Sequence, residues 1–339
     1  MLIFRPVRFA DLPQIEQMAI SAGDRLTTLP NNRDHLAQLI NNTQRSLQGK
    51  SKPKTDQSYH FVLEDTDTQE IIGISGIEAC VGDNIPFYNY RCDEIQHYSQ
   101  ELQLTNTVDT LSLSQDSEGA SRLYTFLLAQ PNVANYALSL LSLSRLMFIA
   151  QRLEHFSERL IVELQGVVNQ KNQSPFWQAL GQHFFNMDFH RANYLTGINA
   201  KGFIADLMPK NPIYVPLLAQ SAQQAIGCVR PDMQAVETLL RAQGFNNSGY
   251  ISIFDGGPTL EATTSQLATI QQLTSCTLQA APSQNAGAAK EALVCNNTNN
   301  EFRAIYAQVN LDCLYLDDAQ AKELNVTSGD TVHVLPLAN

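Results

Sequence analysis

The sequence is short of positive charge. Its 22 Lys and Arg stand against 33 Asp and Glu, for a formal net charge of -11. Nucleic acids and anionic membranes are gripped by clustered Lys and Arg, so this balance argues against both as partners. Paired cysteines are missing too. Cys80, Cys92, Cys228, Cys276, Cys295 and Cys313 are widely spaced with no CxxC, which suggests neither a zinc site nor a disulfide framework. Reduced thiols in a cytoplasmic protein are the expectation. The longest apolar run, Tyr136 to Ala150, is too short for a bilayer and contains Arg145, so it reads as a buried helix. The opening MLIFRPVRFADLP carries Arg5 and Arg8 and has too short an apolar stretch for a signal peptide. His97, His183 and His190 form no ligand spacing of the HExxH kind, so no metal is expected.

What is present is ample apolar material. With 339 residues, 44% hydrophobic and 16% charged, the chain can build one large domain plus a smaller one, or two of ordinary size. IFRPVRFADLPQIEQMA reads as a strand and then a helix, with Asp11 placed to cap it and Pro13 in the first turn. HFVLED and EIIGISGIEACVG read as a hairpin, DTLSLS and RLYTFLLA as further strands, and RLIVELQGVV as a buried strand. SPFWQALGQHFF reads as a short helix ending at Gly181, and VETLLRAQGFNNSGYISIF as helix, Gly244-Phe245, strand. Two such units suggest a duplicated α/β arrangement, with two ordinary glycine-capped helices as the alternative. After FDGGPTLEA the composition turns polar, and the last 75 or so residues read as a small, mostly β unit. The expected division is therefore residues 1–263 and 264–339.

One absence bears on chemistry. The strand SRLYTFLLA leads through a turn at Gln130-Pro131 into the apolar helix, an arrangement that presents free backbone N–H groups to a phosphate. Loops of this kind usually carry glycine, which lets backbone curl closely around the oxygens. From Gln130 to Arg145 there is none. The helix N-terminus still favours an anion, and close approach is what suffers. The pair Gly256-Gly257 before Pro258 reads better as a tight turn than as a second phosphate loop.

The strings RPVRFADLP, LTTLP, FVLED, PFYNYR, SPFWQALGQHFF, MDF, ADLMPKNPIY and YISIFDGGPTLEA, in this order over essentially the whole chain, resemble the arginine N-succinyltransferase family of bacterial arginine catabolism. The resemblance implies an α+β fold with a GNAT-like acyltransferase body and a small C-terminal, mostly β, barrel-like unit. It also implies transfer of succinyl from succinyl-CoA to the α-amino group of L-arginine, or in some members ornithine. Phe126 and Leu127 on the strand, with Ala134, Asn135, Tyr136, Ala137 and Leu138 at the loop and helix start, are then the candidates for contacting succinyl-CoA.

Two departures stand out against that family. Its Gly-x-Gly loop before the string kept here as Leu140 to Arg145 is replaced by positions occupied by Tyr136 and Leu138. The His-Pro whose His is assigned as proton donor reads GCVRPDM here, with Arg230 aligned to the His. Arginine does not shuttle protons at working pH, but it can stabilise negative charge; a surface arginine at a turn is the plainer reading. The glycine-free loop and PIYVPLLAQSAQ are closer to the α chain of the two-subunit form, so a homo-oligomer or a heterodimer with a homologous β-type chain is implied. A catalytically silent partner subunit is the rival function. Glu163, a carboxylate among apolar neighbours in LIVELQGV, is a candidate base or guanidinium anchor, or else a paired structural acid. Asp188 and Asp255 are candidates for guanidinium pairing or for turns and caps. Tyr88 and Arg91 of PFYNYR are candidates for holding the succinyl carboxylate, with aromatic packing at a strand start as the alternative.

Overall fold

The structure, a computed structural model, describes residues 1–23, 26–51, 54–82, 86–130, 133–197, 202–281, 288–298 and 300–337. Its strands are β1 (Leu2–Pro6), β2 (Ser58–Asp65), β3 (Glu70–Glu78), β4 (Asn89–Ser99), β5 (Leu104–Ser114), β6 (Ser121–Leu128), β7 (Arg159–Glu163), β8 (Ile213–Tyr214), β9 (Asn246–Ser252), β10 (Pro258–Thr263), β11 (Thr274–Thr277), β12 (Lys290–Asn296), β13 (Ala304–Val309) and β14 (Thr331–Pro336). They join in one mixed sheet of order β11-β14-β12-β13-β1-β2-β3-β6-β7-β10-β9-β4-β5-β8. The neighbours are antiparallel except β6 and β7. Parallel neighbours need a crossover, and here it is a helix. The molecule is thus mixed α+β.

The helices are α1 (Leu12–Ala22), α2 (Arg33–Leu47), α3 (Ala137–Ala150), α4 (Pro175–Ala179), α5 (Gly181–Phe185), α6 (Phe189–Gly197), α7 (Gly202–Leu207), α8 (Gln220–Ala225), α9 (Gln234–Ala242), α10 (Ala268–Gln272) and α11 (Asp318–Leu324). α3 is the β6-to-β7 crossover and is apolar almost all round, as suits a helix covered on every side. It packs into the main core with Phe4, Phe61 and Phe302, the last contributed by the C-terminal strands. α1 and α2 cover the opposite face of β2 and β3 with a second core. None of the described helices is long and apolar enough to cross a membrane.

Several expectations are met and several need correction. The hairpin β2–β3, the strands β6, β7 and β9, and the helix α3 lie where the pattern predicts them. Asp11 stands at the start of α1, but its carboxylate does not cap it; it takes the Arg5 guanidinium at 2.8 and 2.9 Å and the Arg8 amide at 2.7 Å. Gly181 does not end a helix. The chain breaks at Leu180, and Gly181 opens α5 because a Cβ there would fall 2.2 Å from the Trp177 ring. The chain then continues into α6 rather than a strand, so of the two expected units the α9–β9 segment alone runs helix, glycine, strand. Pro131 and Asn132, part of the turn before α3, lie outside the described residues.

Candidate acyl-transfer site

β6 and β7 are hydrogen-bonded over only Ser121–Leu123 against Leu160–Val162, after which they part. The separation has a local cause. β6 carries an irregularity opposite Ile74 and Gly76, and within it Thr125 adopts φ 49°. A β-branched residue in the left-handed region costs on the order of 1–3 kcal/mol and persists only where surroundings over-determine it. Beyond β7 the chain is drawn the other way, with Leu164 N–H donated to Pro258 O at 3.0 Å and Arg230 N–H to Gln165 O at 2.9 Å. Between the parted strands lies a cavity of about 450 Å³ lined by Tyr124, Phe126, Glu163 and Gln165, with Tyr88 and Asp255 farther along its wall.

One wall of the cavity is acidic. Arg122, 8% exposed, donates to Glu78 at 2.6 and 3.1 Å and approaches Glu163 at 3.7 Å. Its guanidinium lies 4.8 Å from the Phe87 ring centre and 5.0 Å from that of Tyr124. Burial opposes the charge on Arg122, but the two glutamates more than offset it and its pKa is raised. Burial, then the Glu78 charge, drives the Tyr124 hydroxyl upward as well. Glu163 also accepts from Asn89 Nδ2 at 2.8 Å. Its setting is therefore an ion cluster, not the apolar surroundings its strand suggests.

His60 lies at the same wall, 2% exposed, its ring 5.0 Å from Tyr124. Its backbone N–H donates to Thr43 Oγ1 at 3.0 Å, while the buried Nε2 has no hydrogen-bond partner. Burial, helped by the nearby His35, lowers its pKa to about 3, so the ring is neutral at physiological pH.

A cation with no acidic partner among the described residues stands at another part of the lining. Arg145, 1% exposed on α3, lies 5.0 Å from the centre of the Phe126 ring. Its bonds run to Ser142, from Nε to the carbonyl oxygen at 3.2 Å and from one terminal nitrogen to Oγ at 3.1 Å. Burial lowers its pKa to about 9, which leaves it charged at pH 7.

Comparison with known proteins fixes the lineage. The family model described as arginine N-succinyltransferase beta subunit matches residues 2–269, and that of the same protein's C-terminal domain matches residues 275–336. Arginine N-succinyltransferase of an Enterobacter species is 40% identical over 99% of this chain and 98% of its own length, and the Yersinia enterocolitica protein is 38% identical with the same coverage. The chain belongs to the arginine N-succinyltransferase family. A solved relative, subunit AI of the arginine/ornithine succinyltransferase from Pseudomonas aeruginosa, superposes with a TM-score of 0.90 at 33% identity, covering 100% of this chain and 99% of that one.

The arginine N-succinyltransferase resemblance pointed to particular residues, and the fold sorts them. Phe126, Glu163, Tyr88 and Asp255 line the cavity. Leu127 points to the other face of β6, into the core under α1 and α2. Ala134, Tyr136, Ala137 and Leu138 pack against the main core at the start of α3, and Asn135 is exposed. Ala137 N–H is already donated to Ala134 O at 3.1 Å. Tyr136 stacks on Tyr306 of β13, ring centres 4.1 Å apart and planes 6° from parallel, so the start of α3 carries a ring held from the C-terminal strands.

The remaining candidates, and the Asp255 carboxylate within the lining, are already engaged. Asp188 accepts from Arg191 N–H at 2.7 Å, which caps α6. Arg91 is exposed on β4 and paired with Asp93 and Asp116. Arg230 is paired with Asp232, and its side chain is not part of the cavity lining. The Asp255 carboxylate takes the amides of Gly166 at 2.8 Å and Gly257 at 3.0 Å, and burial raises its pKa against those bonds. The Gly256-Gly257 pair forms a turn: a Cβ on Gly257 would lie 2.1 Å from Leu164 O. Sequence reasoning passed over Glu78, Arg122, His60 and Arg145. The available signal was a charged or polar side chain inside an apolar run, as in GIEA, SRLYTFLL, YHFVL and LSLSRLMF.

Proposed function

We propose that this chain transfers the succinyl group of succinyl-CoA to the α-amino group of L-arginine, with ornithine as a second acceptor to be tested. The observation that carries the proposal is the parting of β6 and β7 around a cavity with a glutamate pair on one wall and an unpaired arginine on another. Exposed backbone edges at such a gap suit the amide-bearing arm of CoA, and the helix that follows offers its positive end to phosphate. Residues 1–263 are read as a GNAT-like body on this basis. Residues 264–339 are read as a small, barrel-like β unit, and the whole as a cytoplasmic homo-oligomer or a heterodimer with a homologous chain.

In the reaction the acceptor nitrogen attacks the thioester carbonyl, a C–N bond forms, the C–S bond breaks, and the amine proton must leave. Glu163 is the candidate to receive that proton or to hold the cationic acceptor; Glu78 shares the second role. Arg230, tied to Asp232, is a source of fixed positive charge rather than a proton donor. Thiol release from succinyl-CoA by the purified chain, with and without arginine, tests the proposal. Arginine-dependent release is expected.

A silent-subunit reading draws on the Tyr136–Tyr306 stack at the start of α3 and on the resemblance, which sets Tyr136 against a family glycine and Arg230 against the family's histidine. Release that appears only when a homologous chain is added supports it.

A further inference from the structure

We infer that Arg145 receives the distal carboxylate of the transferred acyl group, and so makes the site selective for dicarboxylic acyl thioesters over neutral ones. The inference rests on the acyl-transfer reading above and adds a basis for choosing the acyl group.

A buried guanidinium is normally kept with an acid, because an uncompensated buried charge is costly. The other buried arginines follow that rule or spend their donors on carbonyls. Arg5 is paired with Asp11 and Glu64, and Arg122 with Glu78 and Glu163. Arg152 donates to the carbonyl oxygens of Phe148 and Thr298. Arg145 differs from Arg5 and Arg122 in lacking an acid, and from Arg152 in leaving one terminal nitrogen without a hydrogen bond. Among the described residues it has no carboxylate partner, its acceptors are the neutral oxygens of Ser142, and its second terminal nitrogen makes no hydrogen bond. It is also part of the cavity lining, over Phe126 where β6 leaves β7. A planar fork with a free terminal nitrogen matches a carboxylate.

Position separates this anion from a CoA phosphate. Arg145 lies eight residues past Ala137, the start of α3, and its guanidinium reaches back only to Ser142, which is still about 7 Å along the helix axis from that start. Phosphate favours the amides at the N-terminus, so the group reaching Arg145 is at the acyl end. The Glu78–Arg122–Glu163 cluster on the other wall leaves that side to the cationic acceptor. The two substrates are thereby sorted by charge.

The test is calorimetric binding to the full-length chain, without arginine, of succinyl-CoA, acetyl-CoA and free CoA. The wild type is expected to bind succinyl-CoA about tenfold to a hundredfold tighter than acetyl-CoA, the worth of a charge-assisted hydrogen bond. Arg145→Gln is expected to remove that preference and leave acetyl-CoA and CoA binding unchanged. Arg145→Lys, which keeps the charge, is expected to retain part of it. An equal loss for all three ligands in Arg145→Gln assigns the residue to a CoA phosphate and overturns the inference. So does a wild type with no preference, a result that needs no variant to fold. If the wild type binds neither thioester nor CoA, the acyl-transfer reading fails and the inference with it.

Discussion

Arg122 carries one charge that two glutamates from different strands share, and removing it strands both of them. Arg122→Met is expected to destabilise the fold by about 1–3 kcal/mol, read from urea unfolding, because the two glutamates it leaves without a cation are half-buried and Glu163 keeps its bond from Asn89. His60 gives a pH dependence with a definite sign. Its pKa is about 3 in the folded chain and near the ordinary 6.5 when unfolded, so below 6.5 the unfolded state binds a proton that the native state refuses. Its stabilising contribution is complete above that value and is lost as pH falls from 6.5 towards 3. Between pH 6.5 and 5 the loss is roughly 2 kcal/mol. Unfolding free energies of wild type and His60→Gln at those two pH values test this: the fall on acidification should be smaller in the variant by about that amount. These residues were hidden from a sequence reading for a simple reason. Positions 78, 122 and 163 are brought together by strand order, and no local spacing encodes it.

Elements were more legible than contacts. Alternation and β-branched content marked β2, β3 and β6, and a long apolar run marked α3, because each of those signals lies within about fifteen residues. What misled was glycine, which serves several backbone purposes with one letter. At Gly181 it makes room for the Trp177 ring, and at Gly257 it admits Leu164 O. Gly76, in β3 opposite Tyr124, is another case: an added Cβ would meet the Tyr124 ring at 2.9 Å and the His60 ring at 3.0 Å. Both rings line the cavity, His60 buried and Tyr124 half-buried, and the His60 ring has little freedom to move. Gly76→Ala is expected to cost about 1–3 kcal/mol through overpacking and to weaken succinyl-CoA binding with it. Urea unfolding and calorimetry on the same preparation check both. The long hairpin β4–β5 was half seen, DTLSLS as a strand and PFYNYR as a binding string, because β4 is largely exposed and lacks an apolar alternation.

For the molecule as a whole, the C-terminal strands are not an appendage to the catalytic candidates. β13 hydrogen-bonds to β1 at Ile3–Ile305 and Phe4–Ala304, Phe302 lies edge-on to Phe4, Phe61 and Phe148, and Tyr306 holds Tyr136. A chain ending at Gln272 leaves that edge and aromatic pocket open, and it is expected to lose cooperative unfolding and to aggregate, as circular dichroism and light scattering would report. The family relationship was readable because it is written in strings of rare residues along the entire chain, whereas the site had to wait for the fold. The pairing of β1 with β13 also sets a timetable. β1 keeps one edge unsatisfied until its partner, some three hundred residues later in the chain, has been made, an interval on the order of tens of seconds at ordinary translation rates. During that time β2 shields only the other edge, so the nascent chain is a natural client for chaperones, and its yield will depend on translation speed as well as on final stability.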